Sequence, residues 1–217
     1  ETWDGTTHAS NFHSFGSSTQ SGSVDYRTPA LSIGDISVSL TATVDPNGGA
    51  GPASPGGVGG NSQGGEAYTA KISGMGFTIG AGHETYAHNA AGTTGASDGD
   101  RATGYILYSN GPLSVGYQEM AQNSANLGDN TTQAPDVEAD GMAIAFTQDN
   151  LSVSYAEVTE QVQNISATTQ METEMTALQA TYTMGAMTLG MSMYETDNPV
   201  GTTGKYEETE LSVSFAF

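Results

Sequence analysis

"DISVSLTATV" (Asp35–Val44) puts Ile36, Val38, Leu40, Ala42 and Val44 on one side of an extended chain and Ser37, Ser39, Thr41 and Thr43 on the other. Apolar residues at every second place, many of them β-branched, describe a strand with two unlike faces; a helix would space its apolar stripe about every 3.6 residues. The same period recurs along the chain. "LSVSYAE" from Leu151 sets Leu151, Val153 and Tyr155 against Ser152, Ser154 and Ala156. "AMTLGMSMYE" from Ala186 sets Met187, Leu189, Met191 and Met193 against Thr188, Gly190, Ser192 and Tyr194, so its methionines belong to a strand and not to a helix.

Counting this way predicts 11 strands, beginning near Ser23, Asp35, Glu66, Phe77, Arg101, Leu113, Gly141, Leu151, Thr173, Met187 and Glu207. Their connections alternate in length. "PALSIG", "SGMG", "SNGP", "TQDN" and "MGAM" are short, whereas the Gly48–Gly65 region, "NAAGTTGASDGD", "QNSANLGDNTTQAPD", "QNISATTQ" and "TDNPVGTTG" are long and rich in Gly, Asn and Thr. Tight turns at one end and long loops at the other describe an antiparallel transmembrane β-barrel, with one strand face apolar for lipid and the other small and polar for a wet interior. A soluble sandwich would have loops of similar length at both ends.

Composition narrows the function classes. The 217 residues carry 24 acidic and 4 basic side chains, a net charge of -20, yet only 13% of the chain is charged, half the usual share. Too few Lys and Arg are present to neutralise a phosphate backbone or to seat a basic helix on a membrane. There is no cysteine, hence no disulfide, thiolate metal site or thiol nucleophile. No apolar run reaches the roughly 20 residues of a transmembrane helix.

Two segments carry a family resemblance. The closing "LSVSFAF" resembles the C-terminal signature of bacterial outer-membrane barrels, an alternating strand ending in Phe. "GSVDYRTPALSIGDISVSLTATVDP" (Gly22–Pro46) is similar to a strand-turn-strand segment of the general bacterial porins, through Ser23, Val24, Tyr26, Thr28 and Pro29. The resemblance implies the C-terminal two thirds of a trimeric outer-membrane porin of a Gram-negative bacterium, with about 16 strands when intact and 11 in this chain. Residues 1–20 would be the end of the pore-constricting external loop and residues 21–217 the barrel, with N-terminal strands expected to precede them. Lipid and lipopolysaccharide, the barrel-assembly machinery and small hydrophilic solutes would be its partners.

Site expectations follow. By strand parity Asp25, Arg27, Lys71, Glu208 and Glu210 face the lumen. The resemblance makes Arg27 and Lys71 a basic wall opposite Glu1 and Asp4 of the constriction loop. Parity leaves Arg101 open, because "RATGYILYSN" permits Tyr105 and Leu107 to share a face as readily as Ile106 and Tyr108. Phe215 and Phe217 fit an aromatic girdle and, by the resemblance, the assembly signal. Asp98, Asp100, Asp136, Glu138 and Asp140 are expected in external loops, where carboxylates can hold calcium, although no dedicated calcium-loop spacing is present. His83 and His88 lie on opposite faces of one strand, so neither His-Glu-x-x-His nor a metal pair is expected. No nucleophile with an oriented base is recognisable, and no enzyme is expected. With so few cations in the chain, the expected function is passive, cation-preferring diffusion through a water-filled channel. The alternatives are a substrate-specific channel, or an exported surface β-protein of adhesin or surface-layer type with calcium-binding acidic loops.

Overall fold

A computed structural model describes residues 24–45, 61–89, 99–123, 136–163, 170–198 and 204–216. They form one antiparallel sheet of twelve segments: β1 (Val24–Arg27), β2 (Leu31–Ile33), β3 (Ile36–Asp45), β4 (Asn61–Gly74), β5 (Phe77–Asn89), β6 (Gly99–Asn110), β7 (Leu113–Asn123), β8 (Asp136–Gln148), β9 (Leu151–Gln163), β10 (Gln170–Met184), β11 (Met187–Asp197) and β12 (Lys205–Phe215). Each pairs with its sequence neighbours, except that β1 and β2 both pair with β3. They are two pieces of one strand, broken where Pro29 has no N–H to give to the ladder. Thr28 mends the gap: its hydroxyl accepts the Leu40 N–H at 3.0 Å, and its own N–H reaches the Leu40 carbonyl at 2.9 Å. The sheet is therefore eleven strands wide, as the periodicity predicts, with the short β2 falling inside the predicted link "PALSIG".

Five connections are two-residue turns that begin with positive φ, at Gly34 (61°), Met75 (53°), Gly111 (56°), Asp149 (52°) and Gly185 (59°). Such primed turns match the right-handed twist of the strands they join. The hairpins of β3 and β4 stand level, Ser37 opposite Ser73, and from β5 onward each hairpin reaches further than the one before: Phe77 pairs with Tyr108, two residues short of the Asn110 turn end, and Leu113 likewise with Phe146 before Gln148. This steady stagger is the shear that tilts strands in a barrel wall. It is fixed by bonds from each strand to the preceding turn, Ser109 N–H to the Gly76 carbonyl (2.8 Å), Thr147 to Pro112 (2.8 Å) and Thr183 to Asn150 (2.9 Å).

Several strands start earlier than predicted. Asp100 lies on β6 and Asp136, Glu138 and Asp140 lie on β8, so these four are strand residues and not loop residues. The ladder hydrogen bonds continue through them even though their side chains are poor β-formers.

Candidate functional site

Register places every strand's side chains on one of two faces, because directly opposed residues share a face. One face is apolar, and its composition changes sharply with distance from the two-residue turns. Closest to the turns stand Phe77, Tyr108, Phe146, Tyr182 and Phe215. The Phe77 and Tyr108 rings pack at 4.5 Å between centroids. Next come aliphatic residues such as Ile72, Ile79, Ile106, Val115, Ile144, Val153, Leu189 and Val213, largely exposed in spite of being apolar. Tyr26, Tyr68, Tyr117 and Tyr155 then form a second, interrupted aromatic row that shares its level with aliphatic residues, Tyr117 standing between Ile106 and Met142 and Tyr155 between Ile144 and Leu178. Three of these tyrosines donate to a carboxylate two residues away, Tyr68 to Glu66 (2.8 Å), Tyr117 to Glu119 (2.7 Å) and Tyr155 to Glu157 (3.1 Å).

Beyond the second aromatic row this face turns acidic. Glu138 and Asp140 on β8, Glu172 and Glu174 on β10, and Glu195 and Asp197 on β11 occupy the places that were aliphatic nearer the turns. Lys205 answers them at the β12 end, 2.6 Å from Glu195 and 3.1 Å from Glu207. Asp100 holds the Asn123 amide at 3.2 Å. Asp136, Glu138 and Asp140 follow one another along a single strand face, and no trio of carboxylates or histidines among the described residues converges as a metal site. Asp98 lies outside the described residues.

The second face is polar and small. Beside three of the turns it carries hydroxyl pairs across the hairpin: Ser109 with Ser114 (2.9 Å), Thr147 with Ser152 (2.9 Å) and Thr183 with Thr188 (3.1 Å). Asp25, Arg27, Lys71, Glu208 and Glu210 all stand on this face. Arg27 is linked to Lys71's side of the sheet through Thr41 and Thr69, and Glu208 and Glu210 are paired to Tyr194 and Ser192. Tyr206 donates to Glu208 at 3.0 Å. Glu1, Asp4 and Phe217 lie outside the described residues. Phe215 pairs with Met187 on the apolar face, level with the aromatic row nearest the turns.

The structure also settles the facing of Arg101. Its cross-strand partners are Glu84 and Gln122, so Arg101, Tyr105 and Leu107 share the polar face and Ile106 and Tyr108 the apolar one. Arg101 donates through Nε to the Gln122 carbonyl oxygen at 3.0 Å, and its Nη1 lies 3.8 Å from Glu84 Oε2. Glu84 is 0% exposed and Arg101 2%. This buried pair is absent from the site expectations. Neither residue's sequence neighbours reveal it, since burial here is a property of the assembled face.

Most buried residues of the polar face lie well away from the turns, Val137 and Thr173 as far as eleven positions up their strands, although Gly80 is buried three positions up and Thr103 and Gly141, seven up, are only half-buried. Ala67, Glu84, Met120, Val158 and Ala177 are buried, and each lies seven positions from the turn end of its strand. Arg101, Gln122, Ala139 and Met175 lie nine positions up. Because the turns themselves step with the stagger, equal distance from the turn means equal height on the wall.

A solved structure of a porin resembles this arrangement with a TM-score of 0.60 at 16% identity, over 89% of this chain and 60% of that one. The fold is porin-like. No protein-family model matches the chain, and no curated protein does. The chain spans 60% of the porin's length, and its sheet is a run of porin-like barrel wall with an apolar outer face and a polar inner one.

Proposed function

We propose that the chain forms the larger part of an outer-membrane porin, a water-filled channel through which ions and small hydrophilic solutes diffuse passively, with a preference for cations. The observation that carries this reading is the banded apolar face. Two aromatic rows enclose an aliphatic zone and carboxylates take over beyond one of them, the distribution expected of a barrel exterior crossing hydrocarbon between two interfaces. The hydroxyl-rich face behind it suits a lumen filled with water, and passive diffusion asks for no catalytic group.

The proposal includes the strands that would close the barrel. Among the described residues β1 and β12 have one neighbour each, and open sheet edges are not tolerated in hydrocarbon. Further strands preceding this chain would pair with both, bringing the total to about 16 in a trimer-forming barrel. The resemblance to general porins supports the trimer and the outer-membrane location.

Planar-bilayer recording of the intact native protein tests the function. Current steps in groups of three, with a reversal potential of cation-selective sign in a salt gradient, are expected. Well-inserted protein that passes no current would dispose of the channel, and an intact mass equal to the 22.3 kDa of this chain would dispose of the additional strands.

A further inference from the structure

The outer face stops being apolar close to the turns. Counted from the turn end of each strand, Ile79 stands two positions up, Ile106 four, and Met142, Leu178 and Met193 six. Above position six, no described residue on the outer face of β4 to β11 is both apolar and larger than alanine. Glu66, Asp140 and Glu195 stand eight positions up, and Glu138 and Glu174 ten. On β12, Glu207 is level with Glu195.

On β7 and β9 the change comes sooner. Glu119 and Glu157 are already six positions up, on the two strands that flank β8. A phenol two residues nearer the turns donates to each, Tyr117 to Glu119 at 2.7 Å and Tyr155 to Glu157 at 3.1 Å. A tyrosine with its ring among aliphatic side chains and its hydroxyl on a carboxylate marks the edge of an apolar zone. Beside Glu119 a cavity of about 430 Å³, lined in part by Ala102, Gly104, Ala121 and Asp140, gives water and headgroups room to descend. At the other end the zone cannot be lengthened, because Met75 is the only long apolar side chain in the two-residue turns.

Positions zero to six, at a rise of about 3.4 Å and a tilt near 40°, span about 18 Å. A barrel strand ordinarily crosses with about 9–11 residues, through an apolar band about 25 Å tall. Resting on the channel reading above, we infer that the lipid partner of this wall is an unusually thin bilayer, and that the wall thins a thicker one around itself, most steeply beside β7 to β9. In a bilayer of ordinary thickness Glu119 and Glu157 would lie below the headgroups, where an ionised carboxylate has no water. Compressing acyl chains costs little per ångström compared with stripping a carboxylate of water, so the lipid yields first. What the surface recognises is acyl-chain length and not headgroup chemistry.

The test is equilibrium urea unfolding of the intact protein in vesicles of didecanoyl, dilauroyl and dimyristoyl phosphatidylcholine, which share a headgroup and differ in thickness. The folding equilibrium constant should be largest in didecanoyl lipid and at least about tenfold smaller in dimyristoyl lipid. Glu119→Leu with Glu157→Leu lengthens the apolar zone on β7 and β9. It should recover at least about threefold in dimyristoyl lipid while changing the didecanoyl value less than about twofold. Ala180→Leu adds apolar surface four positions up, inside the zone, and should leave the ratio between lipids unchanged. Wild-type stability that is level or rises with chain length overturns the inference, as does a double variant that gains equally in every lipid. If the double variant fails to fold, the wild-type order of stabilities decides by itself. Protein that inserts into none of the vesicles removes the barrel reading; insertion without dependence on thickness removes only this inference.

Discussion

The phenol end of Tyr105 occupies the space a side chain at its cross-strand neighbour Gly80 would need: a Cβ there would fall 2.3 Å from Cε1 and 2.7 Å from the hydroxyl oxygen. The glycine is what lets an aromatic side chain lie along the inner wall instead of standing into the lumen. Gly80→Ala should therefore lift the ring, cost about 1–3 kcal/mol of stability by overpacking, and lower single-channel conductance. Adding Tyr105→Ala should recover most of both losses. A double-mutant cycle read by thermal unfolding and by conductance checks the coupling.

The buried Arg101–Glu84 pair predicts an asymmetric response to mutation. Removing the arginine alone, Arg101→Met, strands a carboxylate with no exposure to water and should cost about 3–5 kcal/mol. Neutralising both partners, Glu84→Gln with Arg101→Met, should cost clearly less. Unfolding midpoints of the single and double variants decide it, and equal losses would mean that the arginine acts through its packing alone.

Ile144 and Ala145 are adjacent on β8 but belong to opposite faces. Ile144→Arg puts a charge into the aliphatic zone and should cost roughly 2–4 kcal/mol of folding free energy in lipid. Ala145→Arg, on the polar face, should fold nearly as well as wild type. Refolding into lipid vesicles, followed by the heat-modifiable shift of the folded barrel on gels, separates the two.

Lys205 sits among exposed carboxylates, which limits its worth. Lys205→Ala should destabilise by less than about 1 kcal/mol, and the difference should vanish in roughly 1 M salt. Thermal unfolding at low and high salt measures it; a large loss that persists in high salt would show that the lysine packs rather than pairs.

Strand positions were legible wherever faces alternate apolar against polar in the usual sense, as at Asp35–Val44, and the five short turns were legible from their position between such runs. The upper ends were not. Across Asp136–Asp140 the alternation is inverted, with carboxylates on the outer face and buried Val137 and Ala139 on the inner. A search for apolar outer faces passes over such a segment, because beyond the second aromatic row the outer face is acidic. Arg101 was illegible for a related reason: either parity gives an acceptable amphipathic strand, and only the pairing with Glu84 on the neighbouring strand chooses between them. Asp25, Arg27, Lys71, Glu208 and Glu210 could be placed on a common face by parity, but not at a height, which depends on the stagger of every hairpin between them.

The bonds from each strand to the preceding hairpin's turn have a consequence for construction. Among the described residues, substantial contacts in the sheet run between adjacent strands, so each described part of the wall can form against its sequence neighbour. Each finished hairpin offers the next an edge with its offset already specified, and growth can proceed as repeated local addition of low contact order. A wall built in this way can gain or lose whole hairpins without rerouting the remainder. Circumference then becomes a matter of how many units are strung together, and closing the proposed barrel would be its one long-range event.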